Sequence, residues 1–372
     1  MNAHDSITIG LDLGNTFNKA VGLDAGGRVL FQEDLRNDPE AMEAFFNAHP
    51  GATVGMETGT HCRWIAALAA ACGCEPVVGN ARQLRLVFKS SRKNDWKDAL
   101  KIAQICRADK SLFHPVTLRD DEHHRLYQLV RQRALLVGQR TQLVNAVRGF
   151  CKAGGVRLPK CDARSFASRA ASLLPEGTRR DLKPLLDALA GLAAQIAAAD
   201  AILEEYLDKH FPRESALLQT VPCVGPVTGA AFIALVPDPH RFRSAREAGP
   251  YFGLVPKQDQ SGETDRPCEI TREGNMLMRT MLVNVANLIL RDAAPDTALK
   301  RFGLRLCGRG GGKVARRKAK VALARKLAVV MLAMLRSGEP FRMAEAAPQP
   351  DGAAPAGGRR PRGGKPRGRK EA

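Results

Sequence analysis

Residues 6–34, SITIGLDLGNTFNKAVGLDAGGRVLFQED, read as a meander of three short strands. The apolar run SITIGLDL ends at Gly14-Asn15, Lys19–Asp24 continues as KAVGLD, Ala25-Gly26-Gly27-Arg28 turns the chain, and Val29–Asp34 returns. Glycine-containing turns between apolar, β-branched runs are a hairpin signal. Outward from there, Pro39–Asn47 has helical patterning and Thr53–Glu57 (TVGME) is a short buried strand. Thr58-Gly59-Thr60-His61 leads into an Ala-rich helix over Arg63–Cys72, and Glu75–Val78 is a further strand. The predicted order is β-β-β-α-β-α-β, an α/β domain whose later strands are reached through helices.

That order is the one a ribonuclease-H-like fold has, and four carboxylates fall where a metal-dependent nuclease of that kind needs them. Asp12 ends the first strand and Glu57 the fourth, while Asp95 and Asp98 are three apart on a helix predicted over Asn94–Arg107, hence on one face. Two carboxylates about 4 Å apart repel by roughly 4 kcal/mol at an effective dielectric near 20. Mg²⁺, with Mn²⁺ as a substitute, relieves this because it takes oxygen ligands and substrate phosphates. A plainer alternative makes Asp95 a helix cap with Asp98 as its partner, both favoured by the helix dipole. The stretch IGLDLGNTFNKAVGL also resembles the first phosphate loop of the actin, sugar-kinase and heat-shock ATPases. Those need a second Asp-Gly-Gly loop, and Asp24-Ala25-Gly26-Gly27 comes too early, inside a hairpin. An ATPase therefore ranks below a nuclease.

Charge points the same way. The 372 residues carry 57 Lys and Arg against 38 Asp and Glu, a formal net charge of +19. Between Arg301 and Lys326 stand ten basic residues and no acidic one. Such a chain attracts phosphate, and nucleic acid is the partner implied ahead of an anionic membrane. The nine cysteines form no Cys-x-x-Cys pair, which disfavours a zinc ribbon and fits a reducing cytoplasm. The strongest membrane candidate, Val321–Leu335, is short and carries Arg325 and Lys326, so it reads as a packed helix.

The remaining chain reads mostly helical. Glu122–Lys152 and Thr178–His210 are long helices, an antiparallel pair or coiled coil serving as a helical core or a dimerisation stalk. Leu217–Val236 reads helix, turn, helix about Pro222-Cys223-Val224-Gly225-Pro226. This resembles a helix-hairpin-helix, in which backbone N–H groups near Gly225 take phosphate without reading sequence, with Cys223 where glycine is usual. Gly249–Pro256 is an apolar turn and strand, and Lys257–Glu269 a polar loop containing Ser261-Gly262. Ser261 is a candidate nucleophile, set against the ordinary reading of Ser-Gly as a turn. Arg272, Asn275 and Arg279 follow as groups able to hold phosphate, and Lys313, Arg316, Arg317 and Lys318 extend the basic surface, with Arg309 and Lys320 beside them. Asn275–Leu290 and Lys313–Arg336 are helices, and from Ala344 the Pro, Gly and Arg composition predicts a disordered basic tail. The expected domains are 1–118, RuvC-like and catalytic; 119–212, helical coiled-coil linker; 213–343, a mostly α domain carrying the serine loop; and 344–372, the tail.

The pieces GLDLGNTFNKAVGLD, VGMETGTH, KNDWKDALKIA, LLQTVPCVGPVTGAAFIA, AGPYFGLVPKQDQSGETDRPCEITREGNMLMRTML and KVALARKLAVVML occur in that order. Together the chain resembles the IS110 family of insertion-sequence transposases, the DEDD transposases that act as bridge-RNA-guided recombinases. The resemblance implies an acidic tetrad at Asp12, Glu57, Asp95 and Asp98 holding Mg²⁺, and a nucleophilic serine at Ser261 that forms a covalent DNA intermediate. It also implies a structured guide RNA, DNA element ends and target as partners, a homodimer or homotetramer, no membrane, and a bacterial cytoplasmic, nucleoid-associated location. Members usually carry two adjacent serines and basic residues after Ser-Gly. Here Gln260 precedes Ser261, and Glu263, Thr264 and Asp265 follow, leaving Ser261 the only serine in the loop. Two other classes stay open: a Holliday-junction-resolvase-like nuclease that uses water, and a non-catalytic nucleic-acid-binding protein.

Overall fold

The computed structural model describes residues 7–81, 84, 94–257, 260–261, 264–265, 269–308 and 312–343. Arg309 and the basic tail from Ala344 lie outside these residues. The chain divides into two compact units, Met1–Asp120 and Asp121–Ala372.

The first unit is an α/β layer structure on a five-stranded sheet of order β3-β2-β1-β4-β5. β1 (Thr8–Asp12), β2 (Phe17–Leu23) and β3 (Val29–Arg36) form an antiparallel meander, and β4 (Thr53–Glu57) and β5 (Glu75–Gly79) add parallel to β1. Tight turns suffice for the antiparallel pairs; the parallel ones need crossovers, here α1 (Pro39–Asn47) and α2 (Cys62–Ala71). Asp38 caps α1 by accepting from the Ala41 N–H, and Pro39 fits the first helical position. The observed element order matches the predicted one, with boundaries moved by up to two residues. β3 is mostly exposed and carries Glu33, Asp34 and Arg36, charges that discourage pairing at a sheet edge.

Alternation along the strands separates two faces. Ile9, Leu11, Val54 and Met56 pack with Met42, Phe45 and Phe46 of α1 and with Ile65, Ala66 and Ala69 of α2. The opposite face takes α3 (Asp95–Ala108) at backbone distance. A Cβ on Gly10 would lie 2.1 Å from the Ala99 carbonyl oxygen and 2.5 Å from the Ala103 nitrogen. One on Gly55 would meet the Cys106 Cβ at 3.0 Å. Glycine at both positions is what lets the helix sit on the sheet backbone. Burial there pushes the Cys106 thiol up to about 11.

The second unit begins with a two-helix stalk, α4 (Asp121–Ala153) and α6 (Glu176–His210), with the short α5 (Phe166–Leu173) in their connection. Eight residues make two turns, too few for a helical period to stand out, which is why α5 was not predicted. The stalk is antiparallel: Leu126 and Val130 share a cluster with Leu203 and Leu207, and Val147 and Cys151 share another with Leu182 and Leu186. Steps of four and three run along α4 through Leu126, Val130, Arg133, Val137, Arg140, Val144, Val147 and Cys151. The same steps run along α6 from Leu182 to Leu207, the spacing of a coiled-coil seam. Arg133 pairs with Asp200 across that seam, while the buried Arg140 Nε finds no hydrogen-bond partner among the described residues.

Among the described residues, α6 is the one helix long and apolar enough by length and composition to cross a membrane. Its apolar stretch is the Ala-rich middle that runs along α4. Val321–Leu335 instead lies in the core, where Leu323, Leu327, Met331 and Leu332 are fully buried. That core gathers α8 (Pro226–Leu235), α10 (Met276–Ile289), α12 (Gly312–Ser337) and the stalk base, with α7 (Pro212–Gln219) and α11 (Ala298–Gly308) beside it. The strand expected within Gly249–Pro256 is replaced by a helical turn, α9 (Ala248–Tyr251), followed by a single bridge from Pro256 to Ile270.

Candidate active site and nucleic-acid interface

Asp12 is the last residue of β1 and Glu57 the last of β4, and the parallel register pairs Leu11 with Met56 just before them. The two carboxylates therefore leave neighbouring strands at the same sheet edge. Each follows its strand's glycine by two residues, so each belongs to the face on which α3 lies. α3 starts at this same edge. Lys19, the register partner of Asp12, stands over the Trp96 ring at 4.8 Å, and Trp96 lies in the first turn of α3. At the helix's other end Arg107 donates to the Ala25 carbonyl in the β2–β3 turn at 3.0 Å. Asp95 and Asp98, both in the first turn, thus sit toward the edge where β1 and β4 end.

The reading of Asp95 as the helix cap is corrected by the structure. Asn94 caps α3, accepting from the Trp96 and Lys97 N–H groups at 3.0 and 3.4 Å. An extended φ of −152° at Asn94 suits that role, and Asp95 becomes the first helical residue. Asp98 has Lys101 at 3.9 Å. The donor set is all oxygen, which suits Mg²⁺ or Mn²⁺. Among the described residues, however, no three acidic, His or Cys side chains are gathered closely enough to hold an ion. The four candidates share an edge without forming a closed ligand set.

Ser261 lies in the second unit, near the tip of a β-hairpin. β6 (Gln260–Ser261) pairs antiparallel with β7 (Thr264–Asp265), Ser261 opposite Thr264. The stem is closed by Lys257 N–H to Glu269 O at 2.8 Å and Thr271 N–H to Val255 O at 2.8 Å. Its base is a backbone crossing: a Cβ on Gly253 would stand 2.1 Å from the Glu273 oxygen, and one on Gly274 2.1 Å from the Tyr251 oxygen. Both glycines have positive φ, as does Arg272 at 56°.

Arg279 and Asn275, expected to hold phosphate, are committed to this base. One Arg279 guanidinium nitrogen donates to the carbonyls of Glu273, Phe252 and Gly274 at 2.7, 3.2 and 3.3 Å. Asn275 caps α10 by accepting from Met278 N–H and donates to the Tyr127 hydroxyl. Arg272 is exposed and paired with Glu269 at 2.6 Å. Tyr127 was missed in the sequence; nothing local marks a stalk residue as a partner of one 148 positions away.

α7 and α8 are joined by the turn Thr220–Gly225, in which Cys223 adopts a left-handed φ of 68°. That is the glycine-like conformation at the position where the motif usually has glycine. Gly225 precedes α8, is exposed, and has no atom within 4 Å of a built Cβ, so the first N–H groups of α8 are approachable. Lys313, Arg316, Arg317 and Lys318 are exposed on the opening turns of α12, before the helix enters the core. Lys313 and Arg316 also line a cleft of about 490 Å³ with Leu290, Asp292, Leu304 and Cys307.

A carboxylate-edged α/β unit followed by a basic helical unit is matched by two transposase models. One for DEDD transposases of the IS110 group covers residues 9–153, and one described as transposase IS116/IS110/IS902 family covers residues 215–300. The class is thus that of a transposase. Over 354 residues the chain is 30% identical to the putative transposase y4pF/y4sB of Sinorhizobium fredii, covering 91% of this chain and 86% of that one. It is 26% identical over 342 residues to the transposase for insertion sequence element IS1111A of Coxiella burnetii, covering 90% and 91%. A probable family 20 transposase of Pseudomonas aeruginosa is 28% identical over 343 residues, covering 88% and 96%. The chain belongs to the IS110/IS116/IS902 family of transposases. Membership implies cleavage and transfer of DNA strands.

Proposed function

We propose that this transposase cuts and rejoins insertion-sequence DNA through a RuvC-like site of Asp12, Glu57, Asp95 and Asp98 and a nucleophilic Ser261. The observation that carries the reading is the shared edge: two neighbouring parallel strands end in Asp12 and Glu57, and α3 begins there with Asp95 and Asp98. Asn94 takes over capping of the α3 N-terminus, so neither aspartate is needed for it.

In the proposed step the Ser261 Oγ attacks phosphorus, forming a serine–phosphate ester as the bond to one strand oxygen breaks. The serine proton passes to a carboxylate and onward to the departing strand hydroxyl. Attack by a hydroxyl of the recombining strand reverses the exchange and restores the serine, so the number of phosphodiester bonds is unchanged. Asp12 and Glu57 would hold Mg²⁺ together with Asp95 and Asp98 once substrate phosphate draws them together, and the bound ion supplies positive charge against the developing phosphorane.

Phosphate-backbone contacts are assigned to the α8 N-terminus at Gly225, to Arg272 and to Lys313, Arg316, Arg317 and Lys318, in the manner of helix-hairpin-helix and basic-helix readers. Target choice is assigned to a structured guide RNA, and the assembly to a homodimer or homotetramer acting in the bacterial cytoplasm.

The test is covalent trapping. Protein with its co-purified RNA, labelled element-end DNA and Mg²⁺ is denatured and resolved on a gel. A labelled protein band that disappears in Ser261→Ala and in Asp12→Asn is the expected result. Cleavage without any adduct would instead identify a water-using, resolvase-like nuclease.

A further inference from the structure

Among the described residues of the second unit, two separate hydrophobic clusters stand out. Val130 is the last buried α4 residue of the main core, and Val147 the first of the cluster at the far end of the stalk. Seventeen helical residues at 1.5 Å each place that cluster about 25 Å along the stalk. There Val147, Cys151, Phe166, Ala170, Leu182 and Leu186 enclose a small core of their own. The stretch from 154 to 214, which holds most of it, is matched by neither family model.

The surface of this tip is cationic. From Arg148 to Asp187 there are nine Lys and Arg and four Asp and Glu, an excess of five. Arg148 is spent on the fold, donating to the Leu158 and Pro159 carbonyls at 2.9 Å, and Lys183 is paired with Asp187 at 2.6 Å. Arg157, Lys160, Arg164 and Arg169 are exposed and make no ion pair among the described residues. Arg179 and Arg180 join Lys183, Ala171, Gly177 and Leu186 around a cleft of about 630 Å³, whose wall also carries Glu176 and Asp187. Phe150, near the end of α4, stands 59% exposed. Five of the six unpaired cations named are arginines, whose planar fork matches phosphate oxygens in pairs. An exposed aromatic on the same tip also suits a base face.

We infer that the stalk tip is a nucleic-acid contact, one that grips the phosphodiester backbone through Arg157, Arg179 and Arg180, remote from the core of its own unit. It rests on the chain being a transposase and not on the role of Ser261. The shared chemistry is the backbone phosphate, which element DNA and a folded RNA both offer.

Binding of full-length protein to a labelled DNA duplex and to a labelled RNA stem-loop would be followed across 50–300 mM salt. For Arg157→Ala/Arg179→Ala/Arg180→Ala the log–log salt slope should become shallower by about two to three on at least one probe. Affinity on that probe should fall at least tenfold at the lowest salt. The matching triple Lys variant should keep the slope. Loss confined to RNA assigns the tip to a folded RNA, and loss on the duplex assigns it to element DNA. Unchanged slopes on both probes overturn the proposal, leaving an acidic protein surface as the occupant. Arg164→Ala/Arg169→Ala, altering other exposed cations of the tip, supplies the same readout should the first variant melt early. No cleavage is read, so failure here leaves the covalent-trapping result untouched.

Discussion

Asn275 donates from Nδ2 to the Tyr127 hydroxyl oxygen at 2.5 Å, tying the base of the stalk to the residue that caps the helix after the serine hairpin. Removing the hydroxyl in Tyr127→Phe takes one hydrogen bond and should cost about 1 kcal/mol in denaturant unfolding. Asn275→Ala removes the cap as well and should cost about 2 kcal/mol. Both variants should release the amides of Lys257 and Thr271 to faster hydrogen exchange. Equal costs for the two would show that the cap contributes nothing here.

Gly10 admits no side chain without moving α3. Gly10→Val should destabilise the first unit by about 1–3 kcal/mol. On the proposed mechanism it should also abolish the Ser261 adduct, by shifting Asp95 and Asp98 from the ends of β1 and β4. Surface Gly59, with nothing within 4 Å of a built Cβ, is the control and should tolerate Ala. Full adduct formation by Gly10→Val would sever the link between helix seating and chemistry.

The two seam arginines predict opposite signs. Asp200→Ala leaves half-buried Arg133 without its partner and should destabilise by about 1–3 kcal/mol. Arg140→Leu replaces a buried unpaired donor by a seam residue of the usual kind and should stabilise by about 1 kcal/mol. Thermal melts at one salt concentration decide it; two changes of the same sign would contradict the seam assignment.

Glu75 answers to pH. Lys110 bonds both of its carboxyl oxygens, at 2.6 and 2.5 Å, and holds its pKa below the ordinary value of 4.5. Because the folded value is depressed, the pair stabilises above pH 4.5 and the contribution fades as pH falls through the folded pKa. The pair is exposed, so its worth is under about 1 kcal/mol. Glu75→Gln should therefore melt slightly early at pH 7, and the difference from the parent should shrink as pH falls below 4.5. A constant difference across that range would assign the effect to something other than the charge.

The strands of the first unit were legible because period-two alternation repeats around glycine turns, and Glu57 and Asp12 could be placed at strand ends from that alone. What the sequence did not disclose was the part played by Gly10 and Gly55. A glycine in a strand reads as weakness until the helix lying on it is seen. Asn94 was overlooked beside Asp95 because both are good caps, and only the backbone angle at Asn94 separates them. Arg279 looked like a phosphate ligand since charge is visible in a sequence and three inward carbonyls are not. The Gly249–Pro256 stretch was read as a strand from its apolar character, but Gly249 and Pro250 belong to a helical turn whose bulk faces Arg325 and the core.

The stalk has two legs, and that alters its mechanics. A lone helix of this length can swivel about its ends. Two antiparallel helices locked by Arg133 and Asp200 resist torsion, so a twist imposed at one end is delivered to the other. Tyr127 stands on one of those legs, one turn from where it enters the main core. If the tip grips nucleic acid as inferred, the strain would reach, as torque rather than as contact, Tyr127, which bonds the cap residue after the Ser261 hairpin.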